Sequence, residues 1–158
     1  MTTNDIRRAV TSDAAAIRAC VHASYQHYIE RIGKPPGPML DNYAAIIAQH
    51  DVFVVGEQGE VYGLLVLMHK ADGFLLDNIA VHPAMQGHGL GRRLMTFAEA
   101  EAQRQGYDCL SLYTHELMTE NIAIYTKLGY VETERRVEVG YQRVYMCKTL
   151  KNTDMDKH

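Results

Sequence analysis

Tryptophan is absent from the 158 residues, cysteine occurs three times and proline four times. Each shortage excludes something. Cys20, Cys109 and Cys147 are odd in number and widely scattered, so they form no disulfide framework and suit a reducing compartment. The eight histidines never fall into a His-x-His or His-Glu-x-x-His spacing, and no Cys-x-x-Cys occurs, so no metal is expected. The longest apolar run, Val61 to Met68, has strand length and is too short to span a bilayer. Residues 1–8 lack the apolar core of a signal peptide, which predicts a cytoplasmic chain with no membrane partner. A net charge of −3 offers no broad basic surface, so no nucleic-acid partner is expected.

What is present is ordinary for a globular chain, with 47% apolar and 22% charged residues. The length predicts one domain, residues 1–150, followed by a polar tail, 151–158. Residues 5–10 read as a first strand, and Thr11 to Asp13 carry cap chemistry for a helix running to about Glu30. Pro35, Pro36 and Pro38, with Gly33 and Gly37, must be loop. A second helix is expected from Met39 to about Gln49. Such a helix pair and its loop read either as a cleft wall or as a plain connection. Strands follow at 52–55, 61–68 and 74–81, the first two joined by a turn at 57–60. A helix to about Gln105, a strand from Cys109, a short helix capped by Thr119 and two closing strands complete the order β-α-α-β-β-β-α-β-α-β-β. This is an α/β fold with a mixed, mostly antiparallel sheet and helices on both faces.

The densest signal lies between Asp77 and Arg93. Leu75, Leu76, Ile79, Ala80 and Val81 read as a buried strand that Pro83 ends. Leu90, Leu94, Phe97 and Ala98 then fall at helical spacing. Gly87, Gly89 and Gly91 therefore sit where a strand hands over to a helix. Backbone N–H groups freed by glycine, together with the first turn of a helix, suit a phosphate or pyrophosphate. A P-loop would need Gly-Lys-Ser/Thr, and a dinucleotide fingerprint would need a small residue where Arg92 stands. The pattern that fits is Gln-x-x-Gly-x-Gly at Gln86, Gly89 and Gly91. A second motif runs from Asn121 through Tyr125 to Lys127-Leu128-Gly129-Tyr130.

With these two motifs the chain resembles the GCN5-related N-acetyltransferase (GNAT) family across residues 5–150. The resemblance implies the fold above and an acetyl-CoA-dependent transfer of an acetyl group to an amine within a ternary complex. It implies that the coenzyme runs along Ile79, Ala80 and Val81 as an added strand. The loop Gln86, Gly87, His88, Gly89, Leu90, Gly91 and Arg92 would grip its pyrophosphate, and Asn121 would hydrogen-bond it. Tyr125 would protonate the leaving sulfur, although at helical spacing alone it reads as a core aromatic. A homodimer is common in the family, with Val144 to Leu150 as a candidate edge strand.

Acetylation of an alkylamine needs the neutral amine, roughly one part in 2,500 at pH 7 for a lysine-like pKa near ~10.4. Asp77 is the candidate general base, working directly or through water. Strand alternation places it with Leu75, Ile79 and Val81 on an apolar face. It reads equally as a carboxylate that pairs with an arginine or caps a bulge. Tyr28, Tyr113 and His115 are candidates for the acceptor site, with Tyr25 and Glu116 as further possibilities. The acceptor class stays open between small molecules and peptides. A non-catalytic acyl-CoA sensor, or a transferase with another donor or acceptor, is the alternative.

Overall fold

The computed structural model describes residues 5–57 and 59–150. Residues 1–4, Gln58 of the predicted turn and the predicted tail 151–158 lie outside the described residues. Seven strands form one sheet: β1 (Ile6–Arg8), β2 (Asp51–Val55), β3 (Gly63–Lys70), β4 (Gly73–Val81), β5 (Cys109–His115), β6 (Val131–Glu138) and β7 (Tyr141–Thr149). Their spatial order is β1-β2-β3-β4-β5-β7-β6. Neighbours run antiparallel except β4 and β5. β7 is therefore an inner strand. The expected edge at Val144–Leu150 is corrected: β6 and β1 are the edges, because the last hairpin folds back and inserts β7 beside β5.

β3 shows why the sheet needs two helical layers. Leu64, Leu65, Val66 and Leu67 are all fully buried, so both faces of this strand are covered. On one face, helix α4 (Leu90–Arg104) lays Leu90, Leu94, Ala98 and Ala102 against Leu65, Leu67, Leu76, Leu110 and Leu112. These helix residues recur every four positions, which makes one continuous stripe. On the other face, α1 (Ala14–Tyr25) and α3 (Tyr43–Gln49) cover Val52, Val54, Leu64 and Val66 with Ile17, Val21 and Tyr43.

The N-terminal helices are more broken than periodicity suggests. α1 ends at Tyr25, and a separate short helix α2 (Tyr28–Ile32) follows. Gly33 then closes α2 with a φ of +90°, which glycine adopts without steric cost. The Pro-rich segment makes a 3-10 turn at Gly37–Leu40 rather than the start of the second helix, and α3 is capped by Asn42, whose side chain accepts from Ala45 N–H. Helix α5 (Thr119–Lys127) starts after Met118, and Thr119 makes no capping hydrogen bond. Among the described residues, no helix is long and apolar enough to cross a membrane.

Candidate active site

The site begins where the sheet comes apart. The parallel β4–β5 pair has only two matched positions, Leu75 with Ser111 and Leu76 with Leu112. Beyond them the strands diverge, and β4 carries on alone beside β3. His82 N–H bonds the Tyr62 carbonyl at 2.8 Å. Alternation along an antiparallel ladder then turns the main-chain groups of Ala80 and Asn78 toward β3 and those of Ile79 and Val81 into the gap. The two carbonyls there already have partners. Ile79 O accepts from the Tyr25 hydroxyl at 2.9 Å, and Val81 O accepts from Ser24 Oγ at 2.8 Å and Gln86 Nε2 at 3.3 Å. The N–H groups are thus the more open half of this edge.

A bulge sets the chemistry at the mouth of the gap. Val66 pairs with Asn78 and Leu67 with Leu76, so Asp77 is an extra residue in β4. This corrects the expected alternation. Ile79 and Val81 pack on the α4 side, whereas Asp77 turns to the other face beside Ser111 and Tyr113. Asp77 Oδ1 accepts from the Tyr113 hydroxyl at 2.8 Å. Oδ2 has no hydrogen-bond partner among the described residues. Burial pushes the Asp77 carboxyl above the usual carboxylate range, and the Tyr113 hydrogen bond and the Arg143 charge partly oppose that push. Asp41, half-buried nearby, is also raised, by burial and by the Asp77 charge.

Asn78 holds the opposite wall in place. Its Nδ2 donates to the Tyr43 hydroxyl at 3.1 Å, and Tyr43 donates to Pro38 O at 2.6 Å. Its Oδ1 shares the Tyr25 hydroxyl hydrogen with Ile79 O. Both ends of this buried amide are used, so α1, α3 and the Pro-rich turn are tied to the bulge. That turn forms part of the cleft wall through Pro36, Gly37 and Pro38. A second tie joins it to the β6–β7 hairpin: Tyr141 donates to Pro35 O and Lys34 Nζ to Gly140 O, both at 2.6 Å.

At the far end of β4 the glycine loop enters α4. Gly87 and Gly89 have φ of +85° and +79°, which a side chain would disfavour. Gly89 is the N-cap residue of α4, and Arg93 N–H makes the first return bond to Gly89 O, at 3.1 Å. The N–H groups before it have no partner within the helix and carry its positive end. Gln86, His88 and Arg92 surround them near the surface, and Leu90 is buried under α4. A cation such as Arg92 in a first helical turn opposes the dipole, which makes sense if an anion sits between them.

Tyr125 on α5 lines the cleft between the diverging strands. Its hydroxyl has no hydrogen-bond partner among the described residues. Burial holds its pKa well above the ordinary tyrosine value, so the proton stays on oxygen. Asn121, one turn earlier, makes only loose contacts, to Thr114 Oγ1 at 3.5 Å and Met118 Sδ at 3.6 Å. Tyr113 and His115 line the same cleft, which is open to solvent. His115 Nδ1 accepts from Leu117 N–H at 3.1 Å, and burial lowers the ring's pKa. The neutral ring therefore carries its proton on Nε2, where it donates rather than acts as a base. Tyr28 does not line the cleft itself; its ring stands next to that of Tyr25, which does, with centroids 6.4 Å apart, and packs under Arg31.

Two lining residues escape a reading by motif, Tyr141 and Arg143. Both lie on β7, and β7 reaches the site only because it inserts beside β5. The one local signal is the alternation Tyr141, Arg143, Tyr145 in a closing strand. Among the described residues, no group of three or more His, Cys, Asp and Glu is placed to hold a metal ion.

Comparison with known proteins adds to this geometry. The family described as the acetyltransferase (GNAT) domain matches residues 48–132. The uncharacterized N-acetyltransferase YhfO of Bacillus subtilis is 28% identical over 140 residues, covering 81% of this chain and 90% of that protein. A mycothiol acetyltransferase of Catenulispora acidiphila is 32% identical over 96 residues, 61% of this chain. The match spans only 25% of that protein's length. The solved structure of yncA from Salmonella typhimurium, with its cofactor acetyl-CoA, superposes with a TM-score of 0.66 at 26% identity and covers 94% of both chains.

Proposed function

Because the chain belongs to the GNAT acetyltransferase family, we propose that it moves the acetyl group of acetyl-CoA onto a primary amine of a small molecule or peptide, by direct attack in a ternary complex. The observation that carries this reading is the two-position β4–β5 pairing, which leaves a main-chain edge open between a glycine-rich helix start and the Tyr125 hydroxyl. The residues present fit the coenzyme. The N–H groups of Ile79 and Val81 face the gap where a pantetheine arm pairs with main chain. The start of α4 at Gly89, Leu90, Gly91 and Arg92, with Gln86, Gly87 and His88 in the loop before it, takes the pyrophosphate. Asn121 presents its amide from α5.

Acetyl-CoA supplies an activated acetyl group and a sulfur leaving group. The rest of the chemistry falls to side chains. Holding a lysine-like amine neutral at pH 7 costs about 4.6 kcal/mol, and a base at the right pKa lowers that barrier. Asp77 Oδ2 takes the proton directly or through one water, while Tyr113 fixes Oδ1 and so orients the carboxylate. Its raised pKa strengthens it as a base. An N–H near Ile79 stabilises the developing negative oxygen. Tyr125 donates to the departing sulfur. Full transfer from a phenol to a thiolate is uphill by about 2 kcal/mol at ordinary pKa values of ~10 and ~8.5. Tyr125 therefore acts mainly by a hydrogen bond that strengthens as charge builds on the sulfur.

Calorimetry with acetyl-CoA tests the reading, using the parent protein and Gly89→Asp. The added carboxylate would stand where the pyrophosphate binds, so we expect tight binding by the parent and its loss in the variant. A panel of amines with thiol release as the readout then tests transfer. No binding by the parent would remove the reading altogether.

A further inference from the structure

The acceptor side of the cleft holds a cation that the acetyl-transfer chemistry does not use. Arg143 stands opposite His115 in the β5–β7 register and stacks its guanidinium on the Tyr113 ring, 4.3 Å from the centroid. Tyr113 is the residue whose hydroxyl holds Asp77. The cation and the candidate base are thus held by the same phenol ring, one over its face and one at its tip. Both line the same cleft.

Arg143 has neighbours of its own, the Tyr145 hydroxyl and the Asp41 carboxylate among them. Its Nη1 lies 3.5 Å from Glu138 Oε1, the one acid within 4.0 Å of this guanidinium among the described residues. Glu138 is shared, since it also meets Arg136 at 3.6 Å and accepts from the Tyr145 hydroxyl. The other arm, Nη2, points at Gly37 in the cleft wall, where a Cβ would stand 3.6 Å away. The Arg143 side chain keeps 21% of its surface exposed. Lys34 stands on the same rim, over the Tyr141 ring at 4.1 Å. The cleft therefore presents a planar, two-armed cation close to the Asp77 carboxylate, with Asp41 as a second acid nearby.

From this pairing we infer that Arg143 is the anion-recognition group of the acceptor site, and that the acceptor is a small amine that also carries a carboxylate, in class an amino acid. The amine goes to Asp77, and the carboxylate goes to Arg143, whose fork matches carboxylate geometry. Polycationic acceptors are disfavoured, because a second ammonium would meet Arg143 and Lys34. The inference rests on the acetyl-transfer reading only for the identity of the reaction, not for the binding of the anion.

The test is a binding panel on the free protein and on protein saturated with coenzyme A. It contains the proteinogenic L-amino acids, the α-amide and the decarboxylated amine of each, and spermidine as a polycation. Calorimetry should find at least one amino acid that binds, with its amide and amine weaker by about tenfold or more. Arg143→Gln should abolish that difference, and Arg143→Lys should restore part of it, since charge returns without the fork. The comparison of acid with amide in the parent protein stands even if Arg143→Gln fails to fold. Binding by no amino acid, equal binding of acid and amide, or a preference for spermidine would overturn the inference. Thiol release with the same panel separates the two readings. Turnover of non-acidic amines alone would leave the transferase standing without the carboxylate site. Amino-acid binding without acetyl-CoA binding would leave the site and remove the transferase.

Discussion

The Tyr113 hydroxyl donates to Asp77 Oδ1 at 2.8 Å, across the point where β4 and β5 part. The bond joins the two strands where main-chain pairing has stopped, and it stabilises the ionised form of a buried acid. Tyr113→Phe removes it. A hydrogen bond to a charged group contributes about 1.5–3 kcal/mol, or roughly 1–2 pH units of carboxylate pKa. The acidic limb of the kcat/KM profile should move upward by about that amount. A profile that coincides with the parent's would remove Asp77 from proton transfer.

Asp77→Asn separates catalysis from stability. The amide keeps an acceptor for Tyr113 but cannot take a proton, so kcat should fall by about 10²–10⁴. Stability should move the other way. The folded-state pKa of Asp77 is raised, so the native chain holds this proton more tightly than the unfolded chain does. The resulting stabilisation is fully present below the unfolded value near ~4 and is lost as pH rises through the folded value. The variant, free of that ionisation, should melt higher than the parent near neutral pH and level with it below about pH 4. Thermal melts at several pH values read this directly.

Tyr125→Phe deletes a hydroxyl that no described residue hydrogen-bonds, so the melting temperature should hardly change. If the hydroxyl serves the leaving sulfur, kcat should fall by about 10–10² while acetyl-CoA affinity stays within about twofold. Steady-state kinetics beside calorimetry gives both numbers. Unchanged kcat would return Tyr125 to the core.

Val139 has a φ of +51° and is almost fully exposed at the tip of the β6–β7 hairpin. With Gly140 at +81° it makes a turn with two left-handed residues, a poor place for a β-branched side chain. Val139→Asn should stabilise the fold by about 1 kcal/mol, read as a rise of roughly 2–4 °C in Tm. A fall would mean that the valine makes a contact worth more than the strain.

The parts of the site that one continuous stretch encodes are legible in the amino-acid sequence. Gly87 and Gly89 are glycines because the loop needs positive φ, and Asn121 and Tyr125 share a helix face because they are four apart. The helical layers and the order of strands along the chain are legible for the same reason, since periodicity is local. The bulge at Asp77 is not, because no glycine or proline marks it; it shows only when β3 and β4 are matched. Arg143 escapes a sequence reading because its place depends on β7 inserting between β5 and β6, a choice made by pairing partners far apart in the chain. The break between α1 and α2 is hidden for another reason: Gln26 and His27 look like ordinary polar helix surface.

The two-position contact between β4 and β5 also has a mechanical meaning. It is the seam with the fewest matched positions of any strand pair among the described residues, and α4 splints it by packing on strands from both sides. Thermal breathing should concentrate there, so amides beside the seam should exchange with solvent sooner than those of β3. A ligand laid along β4 would supply the missing strand and behave as mortar. Hydrogen exchange should then slow on both banks of the seam at once, and the two halves of the sheet should melt as a single unit.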